Sequence, residues 1–348
     1  MSYEKIIILY CIYKMNGERT IYSILHLLKG KKSSQTIQDI HVFQLTSLFQ
    51  TYPSLTREHL NEIVQQLVEE EWIIEVVENY YVINKTKKME VESLWIEKPF
   101  PDYLKGWDFH PFTTAFWEKL SLFVQVVAHL SEQSVSYIPI QRNPLIQAWL
   151  KRTLLSIPLK KKELNKQLYE ELITCLEGSS LDPQILINRL TGWNKVGLTA
   201  EQTSILLQKE KFEYQIQFLS LLHYMMDTIL LDKNKYLLLS YMIDWDQNHY
   251  TITTSTAKTL ALLNKGMSIE EISSIRRLKI STIEDHLIEI LLNVPDYSAE
   301  YFVDQKKIER IKNCMEKSSS KSLRIIKEQL TDVSYFEIRV VLSRYGDL

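Results

Sequence analysis

The stretch from Thr253 to Leu292 constrains this chain more than any other. Leu260, Leu263, Met267, Ile269, Ile272 and Ile275 repeat with the 3.6-residue period of two short helices, and Gly266 stands just past the first, where a left-handed cap belongs. Ser268 precedes Glu271 by three residues, a capping box for the second helix, and Ser281 with Glu284 repeats the pattern for a third. Ile283, Leu287, Ile290 and Leu291 line one face of that third helix and leave the other open. The turn before it is Arg276, Arg277, Leu278 and Lys279. Two capped helices joined by so short a turn form a helix-turn-helix, whose second helix is the usual reader of a DNA groove.

Length sets the number of cores. With 348 residues, 45% of them hydrophobic, the chain can bury several small cores in two or three domains. Cys11, Cys175 and Cys314 are odd in number, far apart and not spaced as a metal or redox pair, so they read as buried reduced thiols of a cytoplasmic protein. Ile6 to Leu9 are apolar, but Lys14, Glu18 and Arg19 cut the run short of a membrane span, and no export signal is expected. A net charge of −2 excludes a globally basic nucleic-acid coat, so contact with nucleic acid must use local patches.

The pattern predicts a mainly α chain in four parts. Over residues 1–88, a helix from Tyr3 to Met15 stops at Asn16 and Gly17, and a second carries Ile21, Ile24, Leu25 and Leu28 before Gly30. Lys31 to Ser34 read as a loop and Val42 to Phe49 as a short helix, and Thr56 opens a helix through Ile63, Leu67 and Val68. The period then changes to two: Trp72 to Val77 and Tyr80 to Ile83 flank the turn Glu78-Asn79 as a β-hairpin. Helices closed by a hairpin predict a winged helix. Residues 89–101 read as a charged linker ending in proline, and residues 102–246 as a helical middle domain.

In that middle domain Trp107, Phe109, Phe112, Phe116 and Trp117 cluster around His110, a pattern that anchors a core more often than it stacks bases. Arg142, Lys151, Arg152 and Lys160 to Lys162 make it locally basic, and Glu163, Glu170 and Glu171 beside them fit a solvated face equally well. The polar spacer Asp246 to Tyr250 leads to the last domain, 251–348, where helices follow from Ile308 to Met315, Ser322 to Leu330 and Tyr335 to Leu342.

Two resemblances follow from these residues. Ile21, Leu25, Leu28, Gly30, Lys31, His41, Gln44 and Leu45, with Leu60, Ile63, Gln66 and Leu67, resemble the winged helix that follows the motor of RecQ-type helicases. The resemblance implies contact with duplex DNA, although a hairpin this short does not suit a strand-separating pin, and Tyr80 and Tyr81 read as packing the wing. Leu323, Ile326, Leu330, Val333, Ser334, Glu337, Ile338, Val341 and Leu342, together with Gly266 to Ile272, Arg277-Leu278 and Ser281 to Leu287, resemble the helicase-type helix-turn-helix at the C-terminus of RecQ and Werner-like helicases. In the order of its parts the chain resembles the stand-alone bacterial YpbB-like proteins. The resemblance implies helicase accessory modules on a separate chain, acting in trans with a RecQ-family helicase in DNA repair or recombination.

No phosphate loop, nucleophile elbow, metal helix or paired-carboxylate centre is present in the sequence, so no catalytic residue, metal or cofactor is expected. From Thr253 to Leu292 five bases balance five acids, and Glu284, Asp285 and Glu289 fall on the helix that should enter the groove. Arg276, Arg277 and Lys279 in the turn, with Ser281 and Thr282 at the helix N-terminus, remain as candidates for one DNA backbone. From Lys306 to Arg344, ten basic residues against five acidic give +5, so Lys321, Arg324, Lys327 and Arg339 are expected to make nonspecific contacts, as are Lys29, Lys31 and Lys32. The alternative is a protein-docking module in which Glu284, Asp285 and Glu289 face basic residues of the helicase and the partner alone touches DNA. A sequence-specific transcriptional regulator is the reading the residues support least, because no Arg, Asn or Gln sits on the third helix's exposed face.

Overall fold

Among the described residues the 3.6-residue spacing of apolar side chains becomes helix, with one two-stranded antiparallel sheet. The computed structural model describes residues 1–100, 102–134, 137–244, 251–318 and 323–346. The N-terminal part runs α1 Tyr3–Met15, α2 Ile21–Lys29, α3 Ser34–Val42, α4 Arg57–Glu69, β1 Ile73–Val77, β2 Tyr80–Ile83 and α5 Lys88–Glu97. The middle part holds α6 Gly106–Phe109, α7 Thr113–Ser131, α8 Pro144–Ser156, α9 Lys161–Glu177, α10 Gln184–Ile187, α11 Ala200–Leu206, α12 Lys211–Leu231 and α13 Leu237–Ser240. The C-terminal part holds α14 Thr254–Leu263, α15 Ile269–Arg276, α16 Ile280–Asn293, α17 Gln305–Ser318, α18 Leu323–Gln329 and α19 Tyr335–Tyr345.

These elements gather into two compact units: Met1–Ile6 with Glu92–Gln247, and Ile7–Val91 with Asn248–Leu348. In the first, α7, α9 and α12 pack around a core that includes Phe116, Phe123, Leu222 and Met225, all at most 1% exposed. Trp107, Phe109 and Phe116 of the aromatic cluster are buried, so they serve the core and offer bases no platform. Glu171 is buried as well, where its carboxylate accepts the backbone N–H groups of Leu238 and Leu239 at the start of α13, correcting its reading as part of a solvated face. His223, buried on α12, accepts the Lys105 N–H at Nδ1 (3.0 Å). Its Nε2 therefore carries the proton and donates to Thr113 Oγ1 (3.1 Å), which in turn donates to the Phe109 carbonyl.

In the second unit α2, α3 and α4 are followed by the hairpin, the element order of a winged helix. Gly30 ends α2 at φ +76°, where its N–H closes on Leu27, and an added Cβ would meet the Gln50 side chain at 2.6 Å. A short helix is expected over Val42 to Phe49, but α3 spans Ser34–Val42 and is followed only by a short 3-10 turn, Thr46–Leu48. Ser33 starts α3 by accepting the Thr36 N–H, a single-residue signal that the sparse apolar spacing of Ile37 and Ile40 did not reinforce. Residues expected as linker also fold, as α5, whose apolar residues form no stripe; Val91 is buried while Met89 and Ile96 are each 81% exposed. The spacer Asp246 to Tyr250 lies outside the described residues. No helix among the described residues is long and apolar enough to cross a membrane.

Candidate nucleic-acid interface

The helix-turn-helix forms as α15, a three-residue turn and α16. Ser268 Oγ accepts the Glu271 N–H (3.2 Å) while the Glu271 carboxylate accepts the Ser268 N–H (2.8 Å), so the expected capping box starts α15. Arg277 closes the helix in the left-handed region at φ +52°, and Ser273 Oγ donates to the Leu278 carbonyl (2.6 Å) to hold the turn. The start of α16 differs from the sequence reading. Its N-cap is Lys279, whose carbonyl accepts the N–H groups of Thr282 (2.9 Å) and Ile283 (3.2 Å), so Ser281 lies inside the first turn and caps nothing.

That first turn is the open end of the motif. Arg277, Lys279, Ile280 and Ser281 are exposed and Thr282 is half-buried, around a helix N-terminus whose N–H groups favour an anion. Arg276 is occupied elsewhere: its guanidinium donates to the Ser255 carbonyl (2.8 Å), to Ser255 Oγ (3.0 Å), to Thr259 Oγ1 and to His286 Nδ1 (3.2 Å), tying α14 to α16. His286 is held below its ordinary titration range by burial and then by the Arg276 charge.

The remainder of α16 is enclosed. One face packs on α14 and α15 through Leu287 and Ile290, and the opposite face is covered by α3 and α19, leaving Ile288 1% exposed. The sequence carried the signal in Ile288 and Leu292, which fall off the stripe of Ile283, Leu287, Ile290 and Leu291 and make the helix apolar over more than one face.

The model of a helix-turn-helix domain family matches residues 255–342, the segment that carries this geometry. Over 349 aligned residues the chain is 30% identical to "Protein YpbB" of Bacillus subtilis (strain 168), covering 99% of this chain and 98% of that protein. The chain belongs to the YpbB family. No solved structure matches it.

In this YpbB-family fold two of the three acids expected to face a helicase are engaged within the domain. Glu289, 5% exposed, accepts bonds from the Thr253 N–H, Thr253 Oγ1 (3.1 Å) and Thr256 Oγ1 (2.5 Å), so it caps α14 and presents no surface. Burial raises its carboxyl above the usual range, against the pull of those donors and of Lys32. Asp285 accepts Arg339 Nη1 (2.7 Å) and Ser34 Oγ (2.9 Å), and Arg339 also donates to Ser34 Oγ (2.7 Å) and Gln38 Oε1 (2.9 Å). This cluster joins α3, α16 and α19, and it uses up both Asp285 and Arg339. Glu284 alone of the three remains at the open end, half-buried.

Several of the basic side chains near the C-terminus also have partners within the domain. Lys307 pairs with Glu337, Arg310 with Asp332 and Arg324 with Glu328, while Arg344 donates to the carbonyls of Val294 and Tyr297 beyond the end of α16. Lys327 donates to the carbonyls of Thr331 (2.8 Å) and Val333 (2.6 Å), and Lys321 lies outside the described residues. At the other end Lys29 donates to the Leu55 carbonyl (2.9 Å), whereas Lys31 and Lys32 are exposed in the loop between α2 and α3. The candidates that come together are therefore Arg277, Lys279, Ser281 and Thr282 at one tip and Lys31 with Lys32 in one loop.

Proposed function

We propose that this protein is a non-enzymatic, cytoplasmic DNA-binding accessory protein that acts with a RecQ-family DNA helicase in DNA repair or recombination. The observation that carries the DNA-binding part is the charge left at the start of α16: Arg277 and Lys279 are exposed, Glu289 is buried, and Asp285 is neutralised by Arg339. Taking those two acids out of the balance removes the main electrostatic objection to DNA. With only the first turn of α16 open, the tip grips a phosphate backbone and reads few bases, which fits structure-dependent rather than sequence-specific binding. The helicase association rests on the residues shared with the RecQ winged helix and helix-turn-helix.

Fluorescence anisotropy with duplex, single-stranded and forked DNA at two salt concentrations, with and without a RecQ-family helicase, tests both parts. Binding by the protein alone that weakens steeply with salt, and tightening on forks when the helicase is added, is the expected result. Binding only in the presence of the helicase supports the docking-module reading.

A further inference from the structure

The reading helix of a winged helix is the one before the wing, here α4, and its charge is wrong for DNA. From Thr56 to Asn84 the sequence holds seven glutamates and one basic side chain, Arg57, a net charge of −6 with histidine neutral. All seven glutamates are exposed, from Glu58 on α4 to Glu78 at the hairpin turn. Arg57 itself stacks 4.0 Å over the Tyr22 ring. A face of that sign repels a duplex, since each phosphate approached adds to the repulsion.

The hairpin is also apolar where a solvated wing should not be. Of the five residues in β1 only Ile73 is buried, and Ile74, Val76 and Val77 are 47%, 54% and 65% exposed. Both valines lie at the register shift between Glu75 and Val77 and keep more than half of their surface in solvent. Among the described residues β1 has β2 as its only neighbouring strand, so one side of this apolar strand has no strand beside it. Exposed aliphatic side chains set among acids are complementary to aliphatic side chains set among lysines or arginines.

We propose that the α4–hairpin face docks an extended segment of a partner protein in which lysine or arginine alternates with aliphatic residues. This inference does not rest on DNA binding at the tip of α16, and it takes the winged-helix face out of the DNA contact. The test uses the full chain and fluorescein-labelled synthetic peptides: one of alternating lysine and valine, and one of lysine alone with equal charge. The alternating peptide is expected to bind at least about tenfold more tightly than the lysine peptide, because only it buries the valines. Val76→Ser with Val77→Ser, and separately Glu70→Lys with Glu71→Lys, should each weaken that binding about tenfold, while thermal unfolding of both variants matches the parent. Hydrogen exchange should show peptide protection within residues 68–78.

Equal binding of the two peptides, binding indifferent to both variants, absence of binding, or protection elsewhere in the chain would overturn the proposal. So would protection of this face by duplex DNA, or a concentration-dependent dimer lost on Val76→Ser with Val77→Ser, which would make the occupant a second copy.

Discussion

Replacing Arg339 by alanine separates a structural role from a DNA-binding one. In the structure its side chain is 18% exposed, and the guanidinium pairs with Asp285 at 2.7 Å and donates to Ser34 Oγ and Gln38 Oε1, so one side chain joins α19 to α3 and α16. A hydrogen bond from a charged donor contributes about 1.5–3 kcal/mol when both partners are desolvated, and Asp285 at 39% exposure screens part of that. Three such bonds sharing one cation are not additive, so the expected loss is about 2–3 kcal/mol in the unfolding free energy. Urea denaturation of the full chain measures it, and hydrogen exchange should show faster opening of α3, residues 34–42, than of α7. Ser34→Ala should cost less, about 0.5–1.5 kcal/mol, and should couple to Arg339→Ala in a double-mutant cycle. An Arg339→Ala variant that stays within about 0.5 kcal/mol of the parent in stability while losing DNA affinity would show the behaviour of a free phosphate contact and would refute this structural role.

Three further outcomes follow from other sites. Arg277→Gly relieves a left-handed residue and should stabilise the fold by about 1 kcal/mol in urea denaturation, yet weaken duplex binding, opposite signs that a purely structural Arg277 would not give. Gly30→Ala places a methyl group 2.6 Å from the Gln50 side chain at φ +76°, so its melting temperature should fall, by an amount equivalent to about 1–2 kcal/mol. Burial, and then the charges of Lys105 and His110, push the His223 imidazole down to about 3. Its contribution is therefore complete above the unfolded value near 6.5 and is lost as pH falls from there toward 3, at about 1.4 kcal/mol per pH unit. His223→Asn, which can keep the bond from the Lys105 N–H, should flatten the stability–pH curve between those limits.

The elements that sequence reading located were those whose signal is local. The capping box of Ser268 and Glu271, the helix stop at Gly30, the left-handed Gly266, the switch to a period of two at Trp72 and the helix that starts after Ser334 each need only a few neighbouring residues, and each forms. The α16 start was displaced because Ser281 and Glu284 imitate a capping box while the Lys279 carbonyl already accepts the first helical bonds. What could not be read was pairing across the chain. The Arg339–Asp285 and Arg339–Ser34 contacts span 54 and 305 residues, so a count of bases near the C-terminus included side chains that the fold had already neutralised. Glu289 was assigned to a surface for the same reason, its partners Thr253 and Thr256 being more than thirty residues away.

The central claim is that Arg277 and Lys279, at the open start of α16, hold a DNA backbone. Anisotropy titrations of a nonspecific duplex against salt, for the parent protein and for Arg277→Ala with Lys279→Ala, test it most directly. Losing two phosphate contacts should lower the slope of log affinity against log salt by about 1.8 and weaken binding at every sequence tried. An unchanged slope with unchanged affinity would contradict the account and leave α16 as a purely structural helix.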